Sequence, residues 1–462
     1  MGSRAAILFV CTLIFIAVAL RSRVQGASSS HIPLLYTVAR EYNPLAWMHG
    51  GEQFPQGAAI FVRDGAQRHA LAPEFAASAD ANVSFDGKSI LFAGMQRAND
   101  HWQIWETPAP AAGAARSQEP RQITQCDDDC VRPLYVPADR VVYARKIGGN
   151  FVLEIAYLSA GGEKPVQLTR APGNVLPVDV LHDGRVLFEG PYPLGEGATP
   201  ELYTVYTDGS GVESLRCDHG HSRYAGKEIS SGDIVFARER GLGRFTSALA
   251  HEVAIPAPAG IYSGDVVETP SGEWLVSWRA GAEKKFELRK WKPGTAMLQP
   301  EITENGANIV EPALLAQRAT PNRFPSGLHE WSYANTLCLN AYTSKTHFAD
   351  GSIANVRFYA PGPSGAPQLL GTAPVEKDGS FYVRVPGDRP LKIELLDASG
   401  NTLKKEAGWY WMRGGEQRIC VGCHAGPETA PENVVPAVLL RTIVPVDMTG
   451  GKASSASSQG GH

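Results

Sequence analysis

A turn-and-strand unit recurs along this chain at a nearly constant interval. Phe85-Asp-Gly-Lys-Ser-Ile-Leu-Phe92 is echoed by Ala138-Asp-Arg-Val-Val-Tyr143, His182-Asp-Gly-Arg-Val-Leu-Phe188, Ser231-Gly-Asp-Ile-Val-Phe236 and Ser271-Gly-Glu-Trp-Leu-Val276. These strands end at residues 92, 143, 188, 236 and 276, in steps of 51, 45, 48 and 40. A further strand follows most of them, at Trp102–Trp105, Phe151–Leu158, Leu202–Thr207 and Phe286–Trp291, and some units close on an Ile-Thr or Leu-Thr step, at 123–124 and 168–169. A four-stranded unit repeating every 40–50 residues cannot bury both of its faces alone and stacks with its neighbours around an axis. Apolar alternation bounded by Asp-Gly and Ser-Gly turns, with 33 Pro and 48 Gly and no long helical period, makes the chain all-β. The expectation is a β-propeller of six or seven blades over residues 31–330; a β-sandwich array is the competing arrangement.

The period stops at Pro321–Gly327 and a different β pattern follows. Asn355–Tyr359 reads as a strand, Asp378-Gly379-Ser380 as a turn into the alternating strand Phe381–Val385, and Leu391–Leu396 with Asp397–Gly400 as a further strand and turn. Residues 331–405 are therefore expected to form a small β-sandwich, residues 406–448 a short lobe appended to it, and the Gly/Ser-rich residues 449–462 a disordered tail.

That lobe carries Cys420-Val421-Gly422-Cys423-His424. CxxCH is the spacing at which two thiols reach the two vinyl groups of one porphyrin and the next histidine meets the iron. It predicts one covalent haem c, held by Cys420 and Cys423, with His424 as proximal ligand. The competing readings are a redox dithiol and half of a zinc site; the sequence has no second CxxC or HxxxH to complete the latter. The second axial ligand is open. Met448 is the soft candidate downstream, and His219, His221, His329 and His347 are the histidines upstream. His219-Gly220-His221 beside Cys217 and Asp218 also reads as a metal-binding or merely solvated loop.

The chain opens like an exported protein. Arg4 precedes a predominantly apolar run from Ala5 to Leu20, and Val24-Gln25-Gly26 ends residues 1–26 as a cleavable signal, too short for a comfortable membrane span. Export suits haem attachment, since thioethers on c-type cytochromes form outside the cytoplasm. The expected place is periplasmic or secreted, with no membrane span after cleavage. Removing residues 1–26 takes three arginines and no acid, leaving 40 basic against 47 acidic residues, a balance that argues against nucleic acid as partner. Of seven cysteines, Cys11 lies in the signal and two belong to CxxCH. The other four, Cys126, Cys130, Cys217 and Cys338, make two disulfides in an oxidising compartment, with Cys126–Cys130 and Cys217–Cys338 the preferred pairing among three. The acidic turn Asp127-Asp128-Asp129 reads either as a stapled, solvated turn or as a cation site.

Ser84-Phe85-Asp86-Gly87-Lys88-Ser89-Ile90-Leu91-Phe92 resembles the TolB-type propeller unit, whose first strand ends in Ser-x-Asp-Gly-Lys-x-Ile-x-Phe. Residues 58–448 together resemble proteins related to the hydrazine synthase alpha subunit, in which a TolB-like propeller middle domain precedes a C-terminal region with a c-type haem. Val375–Pro386 and Glu416–His424 carry the likeness to that family's C-terminal signature. The family's catalytic subunit has a further haem motif that forms its active site, whereas this chain has one CxxCH. The resemblance thus implies the architecture and a haem site, not hydrazine synthesis. The function expected is electron transfer by a monohaem c-type protein, its propeller a docking face for a redox partner or a multi-subunit complex. The alternatives are an oxidase- or peroxidase-like haem enzyme with an open distal site, and a propeller binding module with a structural or sensory haem. No nucleophile–base pair stands out.

Overall fold

In a computed structural model the chain is described over residues 32–110, 119–159, 164–216, 218–246, 251–423 and 432–450. Among these residues six sheets of four or five strands follow one another from residue 34 to residue 314 and make a six-bladed propeller. The second blade shows the plan. Ala77–Val83 is innermost, then come Ser89–Met95, Gln103–Pro108 and the short outer pair Arg121–Gln122, each antiparallel to the last. The turn between the first two strands is built by its sequence. Ser84 Oγ donates to Asp86 Oδ1 at 2.7 Å, Asp86 Oδ1 also accepts the Lys88 amide, and Gly87 sits at φ 74°. A Cβ on Gly87 would lie 2.9 Å from the Gln317 amide nitrogen, so glycine there also lets the chain after the last blade cross close by.

The recurring Asp-Gly strand is thus the second of each blade rather than the first. Ser89–Met95, Arg140–Ile147, Val186–Tyr192, Ile234–Ala237 and Trp274–Arg279 occupy equivalent places. They read as apolar runs because both faces pack on neighbouring blades: Ile90, Leu91, Phe92, Val141, Val142, Val186, Leu187 and Phe188 are all fully buried. The ring closes in the first blade. Its innermost strand, Asn308–Leu314, comes from the far end of the propeller and pairs antiparallel with Leu34–Ala39, which is why that blade leaves no echo in the sequence.

The remaining strands form a two-sheet sandwich. One sheet runs Gln417–Cys420, Tyr333–Cys338, Phe381–Pro386, Val446–Asp447; the other runs Pro367–Pro374, Asn355–Pro361, Arg389–Leu396, Thr402–Lys405, with Tyr410–Met412 also on Arg389–Leu396. Phe381, Val383 and Val385 alternate inward onto Phe358, Leu391, Leu395, Met412 and Met448. The segment expected as a separate lobe is therefore woven into the sandwich: three of its stretches are strands of the two sheets, because the backbone edges they cover would otherwise stand unpaired.

The sandwich is seated on the propeller through Trp409 and Trp411, 4% and 0% exposed. Trp409 Nε1 donates to Glu196 Oε1 at 2.7 Å, and Trp411 Nε1 donates to the Gly209 carbonyl at 3.0 Å. Lys392 Nζ reaches Glu196 at 2.8 Å and Arg413 donates to the Asp208 carbonyl at 2.6 Å. Both indoles join the propeller's largest apolar cluster, so the two units share a core.

Candidate functional site

The two thiols of the CxxCH run lie where the sandwich's edge strand ends. Gln417–Cys420 pairs in parallel with Tyr333–Cys338, in a register that sets Cys420 opposite Cys338. The pairing continues past both strands, since the Leu339 amide donates to the Cys420 carbonyl at 2.8 Å and the Asn340 amide to the Val421 carbonyl at 3.2 Å. Gly422 then turns the chain against the loop at 340–343. A Cβ there would lie 2.1 Å from the Thr343 carbonyl oxygen and 2.8 Å from that of Asn340. The glycine inside this motif is required by close approach of backbone to backbone. His424 lies outside the described residues.

Cys420 and Cys423 pack against the sandwich core without bonding to each other, and Cys338 is a third, buried free thiol beside them. Burial, with the neighbouring Cys420 second, pushes the Cys423 thiol up to about 12. Burial also raises Cys420, and burial together with Cys423 and Cys420 raises Cys338. A redox CxxC dithiol has a lowered pKa, opposite to the shift of these thiols. Among the described residues the one His/Cys/Asp/Glu group whose ligand atoms all lie within 4.8 Å of one another is His101, Asp128 and Asp129, so the three sulfurs are not gathered for one ion. Ile419, next to Cys420 on the same strand, is 65% exposed. Two thiols separated by two residues, unbonded to each other and packed on the apolar sandwich core, fit thioether attachment of a flat apolar macrocycle.

The axial candidates are scattered. Met448 is buried in the sandwich core against Gly371, filling space between the sheets rather than facing outward. His219 belongs to the propeller: its ring stacks on Tyr192 at 4.0 Å and its Nδ1 lies 3.2 Å from Glu201, beside the buried Arg223. His221 is exposed on the same loop. His329 is exposed and stacks on Trp331 at 4.3 Å, with its backbone bonded to Gly415. His347 is exposed and follows Thr343, whose carbonyl touches Gly422, in the loop that the CxxCH backbone pairs with. Sequence order alone did not separate His347 from the other three.

Cys126 and Cys130 are disulfide-bonded, with Cα atoms 6.4 Å apart. Lys146 Nζ stands 3.7 Å from both Asp128 and Asp129 of the turn they close, supplying a cation from the chain itself. The expected Cys217–Cys338 bridge does not form. Cys217 lies outside the described residues, and Cys338 is a free thiol on Tyr333–Cys338, facing the sandwich core and the CxxCH cysteines. Sequence motifs alone did not single out four charged residues of the propeller's innermost strands and loops, Asp80, Arg132, Asp265 and Glu311. Their signal is a charge inside an apolar inner strand, as in Val131-Arg132-Pro133 and Val310-Glu311-Pro312.

Residues 350–425 match the family described as the hydrazine synthase alpha subunit middle domain. The solved hydrazine synthase of Kuenenia stuttgartiensis superposes with a TM-score of 0.75 at 16% identity, over 88% of this chain and 71% of that one. TolB from Acinetobacter baumannii, at 13% identity over 65% of this chain and 71% of its own, gives a TM-score of 0.43, too low to argue from. No curated protein sequence matches. The chain is thus similar to the hydrazine synthase alpha subunit family in sequence over residues 350–425, and shares its fold with a solved hydrazine synthase over most of its length. The middle-domain match falls on the sandwich and the CxxCH run, not on the propeller as the resemblance had implied. No helix among the described residues is long and apolar enough to cross a membrane.

Proposed function

We propose that the chain is an exported redox protein carrying one haem c, attached through Cys420 and Cys423 with His424 as its proximal ligand. The observation that carries this reading is the placement of the two thiols: unbonded to each other, packed on the sandwich core and held at fixed spacing by the Gly422 turn. The relation to a hydrazine synthase alpha subunit supports a redox role. When bound, a haem c supplies one-electron chemistry at its iron. The chain's own residues position it. The paired backbones at 339–340 and 420–421 fix the attachment points.

The finer reading is electron transfer with a six-coordinate iron. His347 is the distal ligand on this reading, because its loop is the one bonded to the motif, while Met448 and His219 are engaged elsewhere. The propeller, rigidly joined through Trp409 and Trp411, serves as the docking scaffold. A protein whose relative is one subunit of an enzyme also suits membership of a complex. A second reading, a haem enzyme with an open distal site, is favoured by that relative's name and by the exposure of His347.

Absorption spectra of the exported protein, oxidised and reduced, with and without carbon monoxide, separate the two. Electron transfer is expected to give low-spin spectra that carbon monoxide leaves unchanged. High-spin iron that binds carbon monoxide would replace that reading with the enzyme.

A further inference from the structure

One mouth of the propeller's channel opens into a cavity of about 690 Å³, lined wholly by residues 32–318. The innermost strands are interrupted at one level around it. Their ladders shift register, and Glu311, Asp80, Arg132 and Ala225 stand at φ of 54°, 58°, 51° and 48°. Bulges of this kind redirect side chains, and left-handed non-glycine residues persist only where their surroundings hold them.

The charges gathered there do not balance. Arg132 is engaged by Glu189 at 2.9 Å and Lys227 by Asp179 at 2.6 Å. Glu311 accepts from Thr37 Oγ1 at 2.7 Å, the Asp80 amide at 2.9 Å and Gln53 Nε2 at 3.3 Å. Asp80 accepts the Arg132 amide at 3.0 Å. Asp265 has no hydrogen bond or ion pair among the described residues. Ser263, on the same wall and 2% exposed, has a side-chain oxygen without a partner. Burial, and then Glu311, lift Asp265 to about 7; burial, and then Asp80, lift Glu311 to about 8. Five carboxyls, Asp80, Glu228, Asp265, Glu268 and Glu311, thus line the cavity against three cations, of which Arg132 and Lys227 are ion-paired and Arg318 donates to the Val83 carbonyl at 3.1 Å and to Asn82 Oδ1 at 3.4 Å. The carboxyl oxygens are not all within 4.8 Å of one another, so the set is too open for one metal ion. The volume is that of a small-molecule site.

We propose that this cavity binds an organic cation bearing a primary ammonium group, whose three N–H donors are shared among Asp265, Glu311 and Ser263 Oγ while its carbon chain lies against Tyr42, Leu45 and Val266. The site is independent of the haem reading, since no sandwich residue lines it.

Isothermal titration of the whole mature chain with 1,4-diaminobutane tests the proposal. Saturable binding is expected, with release of protons near pH 7 as the ligand displaces them from the carboxyls, read from heats in buffers of different ionisation enthalpy. Tetramethylammonium, equal in charge per ammonium group but without N–H donors, is expected not to bind. Asp265→Asn and Ser263→Ala should each weaken binding, the first by about tenfold or more, with unchanged circular dichroism. Absence of binding, undiminished binding by Asp265→Asn, or calcium displacing the amine would overturn the proposal. Should Asp265→Asn not fold, the wild-type proton release decides, and its absence overturns the proposal equally.

Discussion

Gly422→Ala isolates the geometry that holds the attachment motif. The added Cβ would lie 2.1 Å from the Thr343 carbonyl oxygen, where ordinary contact begins at 3.4 Å, so the turn must move by roughly 1.3 Å. The Asn340 carbonyl oxygen at 2.8 Å and Thr343 Cβ at 2.8 Å block the sideways escape. That displacement breaks the hydrogen bonds from the Leu339 and Asn340 amides to Cys420 and Val421. Two backbone bonds are worth about 1 kcal/mol each, and overpacking adds about 1–3 kcal/mol, for a total of about 3–5 kcal/mol. Native-state hydrogen exchange reads the effect where it arises. The Leu339 and Asn340 amides should exchange roughly 100-fold faster or more, and the yield of haem-loaded protein should fall with them. Gly327→Ala, at a glycine with open space around it, should stay within about 0.5 kcal/mol of wild type. A Gly422→Ala protein with wild-type exchange at those amides would refute the packing argument.

Three further outcomes follow from particular contacts. Mass mapping without reduction should find Cys126 linked to Cys130 and Cys338 alkylated only after unfolding; losing that short-loop bridge by Cys126→Ser with Cys130→Ser should lower stability by about 2 kcal/mol, and recovery of a Cys217–Cys338 peptide would contradict the fold. The hydrogen bond from Lys392, against partial burial and with help from Trp409, holds the Glu196 carboxyl below its ordinary value of 4.5. A lowered folded pKa means stability present above 4.5 and lost as pH falls through the folded value, so the melting temperature should drop further from about pH 5 to about pH 3 in wild type than in Glu196→Gln, and parallel curves would remove Glu196 from the interface argument. His347→Ala should turn a low-spin protein into one with high-spin, carbon-monoxide-binding iron while His219→Ala leaves the spectrum alone, and the reverse result would move the distal ligand to the propeller.

The propeller was legible because its second strands are buried on both faces and carry Asp-Gly turns, which leave apolar runs at a steady spacing. Strand order within a blade was not legible. The innermost strands are bulged and carry Asp80, Arg132 and Glu311 where an apolar residue would mark a strand, so the pattern starts one strand late. Closure of the ring was hidden for a different reason: Leu34–Ala39 and Asn308–Leu314 lie at opposite ends of the propeller sequence, and register between distant strands has no local sign. At the candidate site the thiols were legible from spacing alone. The proximity of Cys338 to them was not, since a parallel pairing of Tyr333–Cys338 with Gln417–Cys420 brings together residues about eighty positions apart. Counting thiols assigns Cys338 to Cys217, whereas burial in the sandwich gives it a different neighbourhood, beside the CxxCH pair.

Covalent attachment is the central claim, and intact mass of the exported protein under denaturing conditions tests it most directly. The account expects the chain without residues 1–26, two hydrogens lighter for the Cys126–Cys130 bridge, and heavier by one haem that survives denaturation. Cys420→Ala with Cys423→Ala should remove that added mass. A wild-type protein that emerges at the bare chain mass, having shed its haem or carrying zinc in its place before unfolding, would contradict the account.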